Sequence, residues 1–407
     1  MSSTLGDLLK SVVSTGGGGG AFLAHYGMGR NPFPPARTIY PEVIYNQEDA
    51  VHLFAGGVGE IVQNDLARRT LAILGGTGQG KSHFLRHCQY EVAKNGLPLV
   101  SLEFLAGTSS AVTLVRDIFR AADEHVKRNG ENDLLSAVVN RLDGDDFGPV
   151  RQTDLRKALG RLQAASQSDF RPEDMYGRFN AEVLRDVAWR WVSGETLTTT
   201  EKRYLRVSGR LATASLMIRV MTEIFALAKQ QGLFRGVMLC LDEVESIFFS
   251  GVSVSRIQAF LQDLRYLFDE SLGQHSGYSL LLVAGSTSRG ASTLRDYNYP
   301  LFQRLGFESE ARVELHEVDS LDEARKFADA YLEYERLRFA RVNAPGAEEA
   351  RPGVTVDRAR SLISEQDLRL AFYGPALAPS PDTRNQARLL AELHRIVKEK
   401  QTAATPA

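Results

Sequence analysis

The chain has 407 residues, of which 43% are hydrophobic and 24% charged, with 48 Lys plus Arg against 50 Asp plus Glu. That leaves room for roughly two or three domains, and a formal net charge of -2 gives no global attraction to phosphate backbones or anionic membranes, so any nucleic-acid surface must be local. The two cysteines, Cys88 and Cys240, lie far apart in apolar-rich segments, which excludes a disulfide framework or a cysteine metal cluster and fits a reducing, cytoplasmic setting.

Apolar stretches such as Tyr278 to Ala284 are too short to cross a bilayer, and the N-terminus lacks the basic start and apolar core of a signal peptide, so no membrane role is expected. Residues 1–30 read as a flexible arm, with a short amphipathic helix around Leu5, Leu8, Leu9 and Val12 that the five glycines at 16–20 stop. The next segment, NPFPPARTIYP from Asn31 to Pro41, holds four prolines that prevent regular helix, while Phe33, Ile39 and Tyr40 need something to pack against. An extended strap across a folded core is expected. From Asn46 a helix is expected: Val51, Leu53, Phe54, Val58, Ile61 and Val62 recur at helical spacing, and Gln47, Glu48 and Asp49 suit its positive N-terminal end.

Four short apolar runs follow: Leu71 to Leu74, Leu99 to Phe104, Val237 to Leu241 and Leu280 to Ala284. Helical patterns separate them, which predicts an α/β fold with a parallel sheet flanked by helices. The interval from Phe104 to Val237 is far longer than one crossover helix needs, so a helical insertion at 110–232 must fill it. Within it, Asp143 to Ser168 reads as polar with Gly and Asp turns, while Phe179 to Trp191 and Leu211 to Leu227 have helical spacing. After Ser320 the pattern is helical to Lys400, interrupted by loops near 343–353 and 374–381. The expected organisation is the arm at 1–30, an α/β domain at 31–318 and a helical lid domain at 319–407.

The stretch LAILGGTGQGKSHFL places Gly75, Gly80, Lys81 and Ser82 at the spacing of a P-loop, directly after an apolar strand and at the start of a helix. The cradle would run through Gly75, Gly76, Thr77, Gly78, Gln79, Gly80, Lys81, Ser82 and His83. Its glycines let successive backbone N–H groups turn inward to cup phosphates, and the helix N-terminus adds partial positive charge. Lys81 would reach the outer two phosphates of ATP, and the Ser82 hydroxyl would bind Mg²⁺. The plain alternative is a Gly-rich turn with an exposed Lys. A P-loop needs an acidic partner at the end of another strand, and VMLCLDEVE supplies one. Asp242 would hold Mg²⁺ and Glu243 would deprotonate the attacking water. Glu245 can simply face solvent.

The acidic pair and the helical region after the sheet resemble the additional-strand class of P-loop ATPases known as AAA+. That resemblance implies a polar residue closing the next strand, here Ser286 or Thr287, able to hydrogen-bond the water or the outer phosphate; ordinary turn chemistry is the alternative. It implies an arginine finger at Arg304 in YPLFQRL, acting in a neighbouring copy's site, where a surface ion pair is the alternative. It also implies a second sensor at Arg384 in PDTRNQARLL, with Arg388 one turn later. The strap resembles the segment before the P-loop in origin-recognition and loader ATPases, which makes Ile39 and Tyr40 candidates for contacting adenine.

More narrowly, Gly78 to Arg86, the run Leu99 to Phe104, WVSGE from Trp191 to Glu195, GLFRGVMLCLDEVESIF, SRIQAFLQDLRYLFDE and YPLFQRL together resemble the ATP-binding proteins of bacteriophage-exclusion (BREX) loci. This implies an ATPase of anti-phage defence that assembles as a homo-oligomer and meets double-stranded DNA or protein partners of its system. The insertion carries Lys127, Arg128, Arg151, Arg156, Lys157, Lys202, Arg203, Arg206 and Arg210, but acids interleave with them, so it is no clear phosphate-binding stripe. The alternative is a nucleotide-gated scaffold with slow hydrolysis and no direct DNA contact; a small-molecule kinase lacks a recognisable acceptor site.

Overall fold

The four apolar runs form strands, each slightly longer than its apolar centre. In the computed structural model, which describes residues 16–35, 38–63, 67–106, 110–142, 147–166, 180–249, 253–270, 278–343, 353–374 and 385–404, they are β1 (Arg68–Leu74), β2 (Leu99–Leu105), β3 (Gly236–Asp242) and β4 (Ser279–Ser286), joined by β5 (Arg312–Glu314). All pairings are parallel and the order is β2-β3-β4-β1-β5. β4 therefore lies between β1 and β3, as the additional strand does in AAA+ proteins. β3 and β4 are buried along their whole length because strands flank them on both edges, which is why both read as unbroken apolar runs. β5 is an edge strand of three residues, Arg-Val-Glu, with its two charged residues exposed, and so short and charged a segment has no strand signature.

The register decides where the sheet offers chemistry. Leu74 pairs with Ser286 and Leu241 with Ala284, so the carboxyl ends of β1, β3 and β4 fall in one row. In open α/β sheets that edge is where ligands bind.

The described residues divide into two compact units. One holds Glu48–Leu74 and Cys88–Glu314, the other the segments up to Gln47, Gly75–His87 and from Leu315 onward. In the sheet unit, the interval between β2 and β3 contains the helices Ala111–Arg128, Leu134–Val139, Thr153–Ser166, Ala181–Val192, Thr199–Leu205 and Ala214–Gln230. They share one apolar core with the sheet, organised around Phe225, whose ring meets Phe119, Phe234 and Tyr278 edge-on at 5.7, 5.3 and 5.4 Å. Ser110, Asp133, Asn180, Thr198 and Thr213 cap five of these helices with side-chain oxygens. The helix Thr153–Ser166 corrects the expectation of polar turns there. Its apolar face, Leu155, Ala158, Leu159, Leu162 and Ala165, is buried, and the interleaved Arg, Lys and Gly hide that period.

The second unit has its own core, in which Leu23, Phe33 and Val43 pack with Phe327, Tyr331, Leu368, Leu389 and Leu393. Its helices are Leu321–Asn343, Val356–Arg360, Glu365–Tyr373 and Gln386–Ala404. The helix Gly16–His25 is a further difference, because the five glycines, expected as flexible chain, form its first turns. Glycine costs a helix about 1 kcal/mol per residue, and burial of Leu23 against the unit's core opposes that cost. The amphipathic helix expected around Leu5 to Val12 lies outside the described residues. The described residues of the strap, 31–35 and 38–41, form neither helix nor strand and include bends at Pro32 and Phe33; Phe33 is fully buried, its ring 6.1 Å from that of Tyr331, and Asn31 donates to the His394 carbonyl at 3.0 Å. Among the described residues no helix is long and apolar enough to cross a membrane.

Candidate active site

The loop GGTGQGKS leaves the end of β1 and enters the helix Lys81–Lys94. Gly78 and Gly80 have φ of +75° and +92°, the left-handed region that glycine alone adopts without steric cost. Space matters too: a Cβ on Gly78 would lie 2.2 Å from the Asn385 amide oxygen. The Lys81 ammonium is buried and donates to the carbonyls of Gly75 and Gly76, both at 2.9 Å. The loop thus combines left-handed glycines with an ammonium folded back onto its own carbonyls. Gln79 fills part of it: its carboxamide oxygen accepts the Gly76 N–H and its amide donates to Glu317. The first turn of the last helix adjoins the loop, with Ala387 N–H donating to the Gly78 carbonyl at 3.1 Å. Thr77 is exposed, and Ser82 sits half-buried in the helix's first turn.

His83 and His87 follow one turn apart on the P-loop helix and tie the strap down. The ring of His83 reaches the Tyr40 carbonyl at 3.1 Å and that of His87 the Pro41 carbonyl at 2.7 Å. A carbonyl only accepts, so His83 donates from Nε2. Burial, aided by the nearby His87 and Arg86, pushes His83 down to about 4 from its ordinary 6.5. A depressed histidine contributes stability that is complete above about 6.5 and is lost as pH falls toward 4, because the unfolded chain then takes up a proton that the folded chain refuses. A loss of up to about 3 kcal/mol is expected across that window. Thermal melts of the wild type and of His83→Gln at pH 7 and pH 4.5 check this. The variant should lose less on acidification, and equal losses would contradict the assignment.

The sequence pointed to Ile39 and Tyr40 for the base. Tyr40 gives its carbonyl to His83, and its ring lies under the Arg30 guanidinium at 4.1 Å. A crevice beside Gln79, Gly80 and His83 is lined by the next strap residues, Val43, Ile44 and Tyr45, with Phe84, Phe327 and Tyr331, and its volume of about 20 Å³ is room for about one water. Its polar rim includes Gln47, which exchanges two hydrogen bonds of 3.1 Å with the backbone of His316, and Gln386, which donates to the same carbonyl at 3.0 Å. The lining is apolar and aromatic with a few amides, but the space is too small for a planar heterocycle as the chain stands. Sequence pattern could not separate the strap's carbonyl acceptors from its lining side chains.

In the sheet unit, Asp242 closes β3 at 2% exposure and Glu243 stands exposed in a left-handed conformation, φ +50°. The Glu243 N–H donates to Asp242 Oδ1 at 2.9 Å. A carboxylate buried at a strand end beside an exposed one is the donor arrangement that a hydrated cation and a water-activating base require. Ser286, fully buried, closes β4, and the Thr287 side chain caps the next helix, Ser288–Tyr297, by accepting Gly290 N–H at 3.0 Å. Both meet Glu245, the acid that sequence left as a solvent-facing residue. Arg304 ends the helix Tyr299–Arg304 and donates to Asp269 at 2.7 Å, a partly exposed pair of the kind worth about 0–1 kcal/mol and easily exchanged. Arg384 lies outside the described residues. Arg388 donates to the Phe372 carbonyl at 3.3 Å.

Residues 177–322 match the family described as BREX system ATP-binding protein BrxC/D, a span that takes in Asp242, Glu243, Ser286, Thr287 and Arg304. No curated protein matches the chain. Among solved structures, the ORC2 protein of Aeropyrum pernix in an ADP form is similar at 13% identity over 86% of this chain and 70% of that one, with a TM-score of 0.40. ORC2 in ADPNP-ADP complexes gives 13% identity over 88% and 71%, with a TM-score of 0.41. The Aeropyrum pernix ORC1 protein in complex with DNA gives 12% over 85% and 65%, with a TM-score of 0.32. The chain has an AAA+-like P-loop fold by its strand order and loop, and over residues 177–322 it resembles the ATP-binding proteins of BREX systems.

Proposed function

We propose that the chain binds ATP with Mg²⁺ and hydrolyses it to ADP and phosphate, and that it couples nucleotide state to self-assembly and to DNA or protein partners in cytoplasmic anti-phage defence. One observation carries this reading: β1 runs into GGTGQGKS, β3 ends on buried Asp242 and exposed Glu243, and β4 lies between those strands. The match to a family of BREX ATP-binding proteins supports the nucleotide and the setting. ATP, when bound, supplies a phosphoanhydride bond for water to break.

Each residue then has one task. Backbone N–H groups from Gly75 to Ser82 receive phosphate oxygens, and Lys81 neutralises their charge. Ser82 and Asp242 hold Mg²⁺, Glu243 takes the proton of the attacking water, and Ser286 and Thr287 stand at the strand end that serves it. His83 orders the strap, and Ile39 and Tyr40 are the candidates for the base. Arg304 neutralises phosphoryl charge in a neighbouring copy, while Arg384 serves the lid. The test is phosphate release across a protein concentration series, with and without duplex DNA. Activity per chain should rise with concentration, vanish in Arg304→Ala and return on mixing that variant with Glu243→Gln. No release at any concentration would overturn hydrolysis.

A second reading, a nucleotide-gated scaffold with slow turnover, draws on Gln79 and Arg304 being engaged within the chain. Because Gln79 competes for Gly76 N–H, Gln79→Ala should lower the Kd for a fluorescent ATP analogue about 3- to 10-fold, the equivalent of roughly one hydrogen bond. An unchanged Kd would mean that Gln79 does not compete.

A further inference from the structure

Glu245 has no task in the reading above, yet both of its carboxylate oxygens are engaged at the sheet edge. Its Oε2 accepts the Ser286 hydroxyl at 2.8 Å and its Oε1 accepts the Thr287 N–H at 3.1 Å. The backbone beside it is pinned to the same strand, because Val244 N–H donates to the Gly285 carbonyl at 3.2 Å. The facing helix leaves room only through a glycine: a Cβ on Gly290 would lie 2.4 Å from Glu245 Cβ and 2.7 Å from Ser286 Oγ. Glu243 sits in the same turn, its carbonyl accepting Ser246 N–H at 2.8 Å and the Ser246 hydroxyl at 2.6 Å. A left-handed, non-glycine residue persists only when its neighbours hold it.

The Ser286 hydroxyl has one proton and two acceptors in reach, Glu245 Oε2 at 2.8 Å and the Thr287 carbonyl at 3.1 Å. The contact to Glu245 is the shorter of the two, so the Ser286 hydroxyl donates there. We infer that Glu245 is a positioning residue for the hydrolysis proposed above. Through Ser286 and the Thr287 N–H it clamps the end of β4 to the turn that presents Glu243.

Glu245→Gln is the discriminating change, since the amide keeps an oxygen for Thr287 N–H but turns its NH₂ toward Ser286 Oγ, so the Ser286 half of the clamp is lost while the shape is kept. The expected result is a kcat about 10- to 100-fold lower with the Kd for a slowly hydrolysed ATP analogue unchanged. Adding Ser286→Ala to Glu245→Gln should then lower kcat by less than about twofold more, because the two act as one unit. Glu245→Asp, still only an acceptor, should retain more activity than Glu245→Gln. Unchanged kcat in Glu245→Gln, fully additive losses, or Asp below Gln would each overturn the inference. Hydrogen exchange at the Thr287 amide tests the clamp without turnover: it should quicken in Glu245→Ala, and unchanged protection would overturn the inference. Absence of hydrolysis in the wild type would instead remove the ATPase reading while leaving the exchange result to be read on its own.

Discussion

Lys81→Ala should raise the Kd for ATP by at least about 100-fold while the fold survives. The ammonium is buried, 9% exposed, and held by the carbonyls of Gly75 and Gly76 at 2.9 Å, so it reaches nucleotide from a preorganised position. Charge-assisted hydrogen bonds contribute about 1.5–3 kcal/mol each, and two of them correspond to roughly 3 kcal/mol or more, which is the stated loss in affinity. Lys81→Arg should not restore binding, because a planar guanidinium cannot occupy a site shaped for a compact ammonium. Titration with a fluorescent ATP analogue, beside a thermal melt, checks both variants. A Kd within threefold of the wild type for Lys81→Ala would remove the loop from nucleotide binding.

Glu243→Gln should do the opposite, leaving affinity intact and lowering turnover about 10²- to 10⁴-fold, the range for loss of a positioned general base. Gln has nearly the same shape and can keep the left-handed conformation, so any loss belongs to proton transfer. Glu243 is exposed at the strand end, and its own N–H already anchors to Asp242; the substitution therefore disturbs no buried partner. A variant that both binds and hydrolyses normally would remove Glu243 from the role of base.

What the sequence made legible was local. Runs such as Val237 to Leu241 are apolar because both faces and both edges of the strand are covered, so composition alone reports them. The spacing of Gly75, Gly80, Lys81 and Ser82 is likewise contained in eight residues. β5 was not legible, since Arg312 and Glu314 at a sheet edge look like loop, and neither was the helix Thr153–Ser166, whose buried leucines are interleaved with charge. The helix through the glycines at 16–20 depends on packing of Leu23 within its unit, which no propensity registers. Glu245 is the clearest case at the site: its importance depends on Ser286, forty-one residues later, and on Gly290 leaving space for it. Carbonyl contacts such as those from Tyr40 and Pro41 to the two histidines leave no trace in side-chain pattern at all.

The central claim is hydrolysis of ATP by the residues at the carboxyl ends of β1 and β3. Single-turnover release of labelled phosphate from the γ-position, with protein in excess over ATP, tests it most directly. The account predicts release by the wild type, retained ATP without release by Glu243→Gln, and neither retention nor release by Lys81→Ala. Equal release from all three proteins, or ATP retained by none, would contradict it.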